Sequence, residues 1–154
     1  MGKEIIIVTI SLGNDGAERI LTELARQWHH DGHKITVIQT SPNRYGTEYT
    51  LPEGIEQIQI HTTSSNKILR FLQEIKALIG ILKQRPNATC LSFLSASSFI
   101  LAISSWFVKN RMVFSERNNP RKVPVGKHQQ ILRNFAFRFA DAIVFQTEDA
   151  KSYF

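Results

Sequence analysis

A glycine-containing turn near the amino terminus is the first stretch whose residue types could do chemistry. Gly13-Asn14-Asp15-Gly16 lies between the β-branched run at 4–10 and a segment with apolar residues at helical spacing. Such a turn points free backbone N–H groups and the positive end of a helix dipole at one place, where a diphosphate can bind. The alternative is a tight turn without a ligand, and the residues leave both open.

The same turn argues against a dinucleotide. Its Gly-x-x-Gly spacing is not the complete G-x-G-x-x-G fingerprint, and the second predicted strand ends in Gln39-Thr40-Ser41, without an acidic residue for a ribose. An NAD enzyme is therefore disfavoured. We expect no bound cofactor and no metal site.

A polar run follows the fifth predicted strand, at Ser115-Glu116-Arg117-Asn118-Asn119-Pro120. Ligands of doubly wound sheets bind beyond the carboxyl ends of the strands, so we expect Glu116 and Arg117 to face a cleft there. On this interpretation Glu116→Gln and Arg117→Ala lower turnover and leave the melting temperature nearly unchanged. The alternative is a local salt bridge that only shapes the loop.

The positive charge of the chain is concentrated in one segment. Residues 109–138 contain eight Lys or Arg and one acid, so this segment carries +7 and the rest of the chain −1, for a net charge of +6. Such a patch attracts phosphates, anionic lipid headgroups or nucleic acid. Nucleic acid is disfavoured, because the patch has neither interleaved aromatic residues nor a recognised motif.

Alternating strands and helices must position these residues. Apolar patterns predict strands at 4–10, 35–38, 55–60, 89–93, 112–114 and 142–145, and helices at 17–32, 66–84, 95–107 and 127–140, with a short helix from 147. This alternation predicts an α/β fold: a Rossmann-like, doubly wound, mainly parallel sheet of about six strands, in the order 3-2-1-4-5-6, with helices on both faces. The length of 154 residues fits a single domain, 1–154.

One uncharged stretch, 86–108, is long enough to be considered as a membrane span. Six serines and a break at Ser95-Ala96-Ser97-Ser98 favour a buried strand followed by a helix. The first strand starts without a secretory signal sequence, and the single cysteine, Cys90, can form no internal disulfide. We therefore expect a cytoplasmic protein.

The predicted helix at 127–140 carries an aromatic residue among cations. The apolar residues expected to pack on the sheet are Ile131, Leu132, Phe135, Ala136 and Phe139. Phe137 falls on the opposite side, with Lys127, Arg133 and Arg138, so we expect it to be exposed there. A helix lying on an anionic bilayer uses both the ring and the cations. The alternatives are contact with a second domain and an ordinary exposed apolar residue.

Four phrases carry a family resemblance: Gly-Ala-Glu-Arg at 16–19, Gly-His-Lys-Ile-Thr-Val-Ile at 32–38, Ser-Glu-Arg-Asn-Asn-Pro at 115–120 and Ala-Asp-Ala-Ile-Val-Phe-Gln-Thr at 140–147. Together they resemble the N-terminal domain of family 4 glycosyltransferases, which have the GT-B fold. The likeness covers nearly the whole chain.

The resemblance implies the acceptor-binding half of a retaining, nucleotide-sugar-dependent hexosyltransferase that builds a cell-surface polysaccharide or a lipid-linked saccharide. It implies a saccharide or polyprenyl-linked acceptor and a position in the cytoplasm or at the inner face of the membrane. By position, Gly13, Asn14, Asp15 and Gly16 would face the donor phosphates. Ser95, Glu116, Arg117 and Asn118 would line the acceptor cleft.

Two departures from the family pattern limit the transfer of roles. Many members have two adjacent glycines in the first loop, where this chain has Asn14-Asp15-Gly16. Many have a histidine after the fourth strand, where this chain has Ser92-Phe93-Leu94-Ser95. The resemblance therefore assigns no general base.

The family's donor-binding domain is expected to begin about where this sequence stops, just after Thr147-Glu148-Asp149. Either the chain is a fragment, or it is a stand-alone half that needs a partner subunit. We expect the isolated chain to be inactive. The alternative function is a non-catalytic binding module or one subunit of a split glycosyltransferase.

Overall fold

The computed structural model describes residues 2–13, 16–41, 49–93, 95–117 and 126–153. Within these ranges the strands are β1 (Glu4–Thr9), β2 (Lys34–Gln39), β3 (Glu56–Gln59), β4 (Thr89–Ser92), β5 (Arg111–Glu116) and β6 (Ala142–Phe145). The helices are α1 (Gly16–His30), α2 (Lys67–Lys83), α3 (Ser95–Ser104), α4 (Lys127–Phe137) and α5 (Glu148–Lys151), with a 3-10 turn at Ser105–Phe107.

The six strands form one parallel sheet in the order β3-β2-β1-β4-β5-β6. The predicted fold class and strand order are therefore confirmed. β1 lies in the middle of the sheet, where Ile7 pairs with Val37 of β2 and Leu91 of β4. Ile6, Ile7 and Val8 are fully buried, as expected for a strand covered on both faces.

Helices cover both faces of the sheet. On one face, Leu21 and Ala25 of α1 pack with Ile7 and Val37. On the other, α2, α3 and α4 form a layer over Ile6 and Val8, with Leu78, Leu101 and Ala136 among its buried residues.

The helix ends follow the local sequence. The Asn66 side chain caps α2 by accepting hydrogen bonds from the backbone nitrogens of Ile68 (2.9 Å) and Leu69 (3.3 Å). Gly32 has a φ of 84° and follows α1, as predicted for a left-handed stop. The capping box predicted between Asp15 and Glu18 involves a residue outside the described ranges.

The uncharged stretch forms β4 and α3, as predicted, and does not form one continuous helix. In the described part of the chain, no helix is both long and apolar enough to span a bilayer. Cys90 lies inside this unit, and burial raises the pKa of its thiol to about 12. The thiol therefore stays protonated and unreactive at neutral pH.

The orientation predicted for α4 is wrong in part: Ala136 is buried as predicted, but four other residues are not where the prediction placed them. Arg133 is only 2% exposed, and the Phe137 ring is half-buried against Phe145 of β6, 6.1 Å between centroids. Ile131 and Leu132, expected on the sheet, are exposed. The helix also ends at Phe137, three residues earlier than predicted.

The physical reason is that apolar residues occur all round α4, so periodicity alone does not choose its buried side. The fully buried Ala136 lets the helix approach the sheet closely. That rotation places Arg133 beside the buried carboxylate of Glu116. Lys127 and Arg138 are exposed, as predicted.

Candidate active site at the carboxyl edge of the sheet

Three of the predicted site segments meet at the carboxyl edge of the sheet, after β1, β4 and β5. Gly13 and Gly16 follow β1, and Arg117 follows β5 directly. Asn14, Asp15 and Asn118 lie outside the described residues. Ser95 is the first residue of α3, but its side chain is not among those described.

Arg117 is held in place by two neighbours that the sequence did not single out. Its guanidinium lies over the Phe93 ring, 4.9 Å from the centroid. The amide of Gln146 is assigned from its partners: the oxygen accepts from Nη2 (2.8 Å) and Nε (3.3 Å) of Arg117, and the nitrogen donates to the Arg117 carbonyl (2.7 Å).

The Arg117 site joins the ends of three adjacent strands, because Phe93 follows β4 and Gln146 follows β6. Partial burial lowers the pKa of the Arg117 guanidinium, which still carries its charge at neutral pH. A fixed guanidinium of this kind can bind a phosphate or a carboxylate through paired hydrogen bonds.

Glu116 and Arg117 do not lie together. Successive residues of a strand point to opposite faces, so Glu116 turns under α4 while Arg117 lies beside Phe93. Glu116 is 3% exposed, and its Oε2 lies 3.9 Å from Nε of Arg133. Its surroundings match the salt-bridge alternative, and a role for Glu116 in the cleft stays a prediction.

The turn after β1 is ordered by side-chain hydrogen bonds. Ser11 Oγ donates to the buried Glu18 carboxylate at 2.7 Å, and Thr9 Oγ1 donates to the Ser11 carbonyl at 3.1 Å. Gly16 begins α1, and a Cβ built there would meet no atom within 4 Å. β1 and β5 are two strand spacings apart, about 10 Å.

The loop after β4 supplies hydroxyl groups and no titratable side chain between Ser92 and Ser98. The hydroxyl oxygens of Ser92 and Ser98 are buried and lie 2.6 Å apart, so they tie the strand end to α3. In the described part of the chain, no three His, Cys, Asp or Glu side chains come close enough to hold a metal ion.

Gln39, at the carboxyl end of β2, was not predicted as a site residue. It is fully buried, and within the described residues neither its amide nitrogen nor its amide oxygen has a hydrogen-bond partner. Burying such a group unpaired costs about 1–3 kcal/mol. Unpaired buried groups of this kind are uncommon in proteins and call for an explanation.

We expect Gln39→Met to raise the free energy of unfolding by about 1–2 kcal/mol, because the change removes an unpaired buried amide at similar volume. Urea denaturation measures this. Gln59→Met is the matched control, since Gln59 is the half-buried register partner of Gln39 on β3. A destabilised Gln39→Met protein would show that ordered water or a ligand pairs the amide in solution.

The sequence itself matches one family profile, described as Glycosyltransferase Family 4, over residues 14–154. The chain belongs to Glycosyltransferase Family 4. The resemblance noted in the sequence is thereby confirmed. No curated protein matches the chain significantly.

Solved structures share the fold at low sequence identity. Anabaena HepE, crystallised with UDP and glucose, superposes with a TM-score of 0.75 at 11% identity, covering 97% of this chain and 40% of HepE. WaaG, a glycosyltransferase involved in lipopolysaccharide biosynthesis, gives a TM-score of 0.60 at 15% identity, covering 96% and 40%.

A third similar structure is that of an enzyme with a different activity. The UDP-GlcNAc 2-epimerase of Methanocaldococcus jannaschii gives a TM-score of 0.62 at 14% identity, covering 99% of this chain and 41% of the epimerase. The fold alone therefore does not select transfer over epimerisation, and the family profile decides for a glycosyltransferase domain. The chain spans about two-fifths of the length of these proteins.

Proposed function

We propose that this chain is the acceptor-binding half of a retaining glycosyltransferase that uses a nucleotide sugar. Membership of Glycosyltransferase Family 4 supports the transfer of a sugar as the reaction. The UDP and glucose bound by HepE support a nucleotide sugar as donor. The role of WaaG in lipopolysaccharide biosynthesis supports a product at the cell surface, either a polysaccharide or a lipid-linked saccharide.

The observation that carries the proposal is the guanidinium of Arg117, fixed between Phe93 and Gln146 at the edge of the sheet that also carries the turn after β1. The free N–H groups of the first turn of α1, which begins at Gly16, suit the donor diphosphate. Arg117, about 10 Å away across two strands, suits the acceptor. A polyprenyl-linked acceptor carries phosphates that a guanidinium binds well. We assign the acceptor to the cytoplasmic face of the membrane.

Arg117→Ala tests this assignment in a protein completed with a donor-binding domain. We expect kcat/KM for the acceptor to fall by roughly 10–100-fold, the loss of one charge-assisted, bidentate contact. The melting temperature should change little, because the Arg117 side chain is only partly buried.

Arg111→Ala is the matched control, since Arg111 is an exposed arginine at the opposite end of the same strand. Arg117→Lys keeps the charge and loses the planar fork, so it should recover only part of the activity. If Arg117→Ala and Arg111→Ala turn over acceptor equally well, Arg117 does not bind it.

A further inference from the structure

The outer surface of the helix layer α2–α3–α4 exposes large apolar side chains. On α2, Ile68 is 71% exposed, and on α4 Ile131 is 66% exposed. Trp106, in the 3-10 turn after α3, is 60% exposed. Leu69, Leu72, Phe107 and Leu132 are also exposed. Single exposed apolar residues are ordinary, whereas a group of them marks an interaction surface.

Ring contacts show that these residues form one surface. Phe71 of α2 stacks on Phe99 of α3 at 5.8 Å, and Phe99 contacts Phe135 of α4 at 6.2 Å. Trp106 contacts Phe135 at 6.3 Å. Each exposed isoleucine is one helical turn from this row, since Ile68 precedes Phe71 by three residues and Ile131 precedes Phe135 by four.

We call this surface the helix-layer patch; it consists of Ile68, Leu72, Phe99, Trp106, Ile131, Leu132 and Phe135. Three packed helices at 8–10 Å spacing make it roughly 20 Å wide.

The charge on the three helices has one dominant sign. Their sequences contain one acid, Glu74, and six bases; Arg133 is buried beside Glu116, which leaves Lys67, Arg70, Lys76, Lys83 and Lys127. All four lysines of this set are exposed. α1, on the opposite face of the sheet, balances Glu18 and Glu23 against Arg19 and Arg26. The excess of positive charge therefore accompanies the apolar patch.

This combination identifies the partner chemistry. Exposed apolar and aromatic side chains flanked by lysines are typical of surfaces that lie on anionic bilayers. A second copy of the chain is disfavoured, because two patches face to face would bring like charges together.

We propose that the helix-layer patch docks this protein on an anionic lipid bilayer. The lysines contact headgroup phosphates, while Ile68, Ile131 and Trp106 enter the interface. Helices antiparallel to the strands begin at the carboxyl edge, so Ile68 and Ile131, near the starts of α2 and α4, lie toward the edge that carries Arg117. A lipid-linked acceptor would arrive at that edge, although docking itself does not depend on the proposed transferase function.

Co-sedimentation of the 154-residue chain with phosphatidylcholine–phosphatidylglycerol vesicles tests the proposal. We expect binding at low salt, weakening with added salt, and little binding to pure phosphatidylcholine. Lys67→Glu/Ile68→Ser should lower the partition coefficient by roughly tenfold or more, since each cation near the surface contributes about fivefold and the isoleucine adds apolar burial.

Arg19→Glu/Ile20→Ser is the matched control. It makes the same two chemical changes in the first turn of α1, where Ile20 is also exposed, on the other face of the sheet. Control and wild type should bind alike. Equal losses in the two doubles, or wild-type protein that stays in the supernatant at low salt, would overturn the proposal.

Trp106 provides a direct reporter of docking. In a Trp28→Phe background it is the remaining tryptophan. Its emission should shift to the blue on anionic vesicles and be quenched by brominated acyl chains.

Sedimentation velocity tests whether a second copy of the chain covers the patch instead. A wild-type dimer that Lys67→Glu/Ile68→Ser abolishes, without vesicle binding, would assign the patch to self-association and overturn bilayer docking.

Discussion

Glu116→Gln is expected to destabilise this protein by up to about 3–5 kcal/mol, because it removes the carboxylate that lies beside the buried guanidinium of Arg133. Both side chains are 2% exposed, and Nε of Arg133 lies 3.9 Å from Oε2 of Glu116. For a chain of this length, the loss corresponds to a fall in melting temperature of roughly 10 °C or more. Thermal unfolding followed by circular dichroism measures it.

Removing both charges tests whether the loss of stability comes from the buried Arg133 charge that Glu116→Gln leaves behind. Glu116→Met/Arg133→Leu deletes the buried charges together, and such replacements are commonly neutral or stabilising by about 1–4 kcal/mol. The double variant should therefore be more stable than Glu116→Gln. Glu23→Gln serves as the control, because the Glu23–Arg26 pair of α1 is half exposed and should contribute less than about 1 kcal/mol.

A melting temperature unchanged by Glu116→Gln would show that the pair with Arg133 does not stabilise the fold. The role in the cleft that was predicted from the sequence could then be tested by turnover. If the protein is destabilised, a loss of turnover in this variant cannot be assigned to catalysis. Arg117, which lies at the edge and is only partly buried, is then the informative residue of the two.

The sheet could be predicted because its strands carry their own signal. Ile5, Ile6, Ile7 and Val8 form an uninterrupted β-branched run, which is typical of a strand covered on both faces. The alternation with helices predicts a doubly wound sheet, of which 3-2-1-4-5-6 is a common strand order. The end of β5 could not be predicted in this way. Ser115 and Glu116 are polar, but pairing with Val144 and Phe145 of β6 extends the strand through them.

The Arg117 site needed information that local sequence does not contain. Phe93, Arg117 and Gln146 are far apart along the chain and meet only because β4, β5 and β6 are adjacent and end at one edge. The rotation of α4 could not be predicted for a similar reason. An arginine is expected to be exposed unless the carboxylate that lies beside it is known, and the sequence placed Glu116 in a loop.

The isolated chain is expected to turn over nucleotide sugars at least about 10⁴-fold more slowly than the same chain completed with a donor-binding domain. Holding two substrates in reacting geometry contributes roughly 7–11 kcal/mol to catalysis, and most of this is lost when one substrate has no site. The chain spans about two-fifths of HepE and WaaG, so on the proposed function the donor contacts come from the remainder.

The experiment measures sugar transfer by three preparations: the chain alone, the chain mixed with a separate donor-binding half, and the two halves fused after Phe154. Activity in the mixture should rise with the concentration of the second half, and the fusion should exceed the mixture because linkage raises the effective concentration. Arg117→Ala in the fusion shows whether the restored activity uses the edge site of this chain. Robust transfer by the chain alone would contradict the division of donor and acceptor between two halves, because one half would then bind and position both substrates.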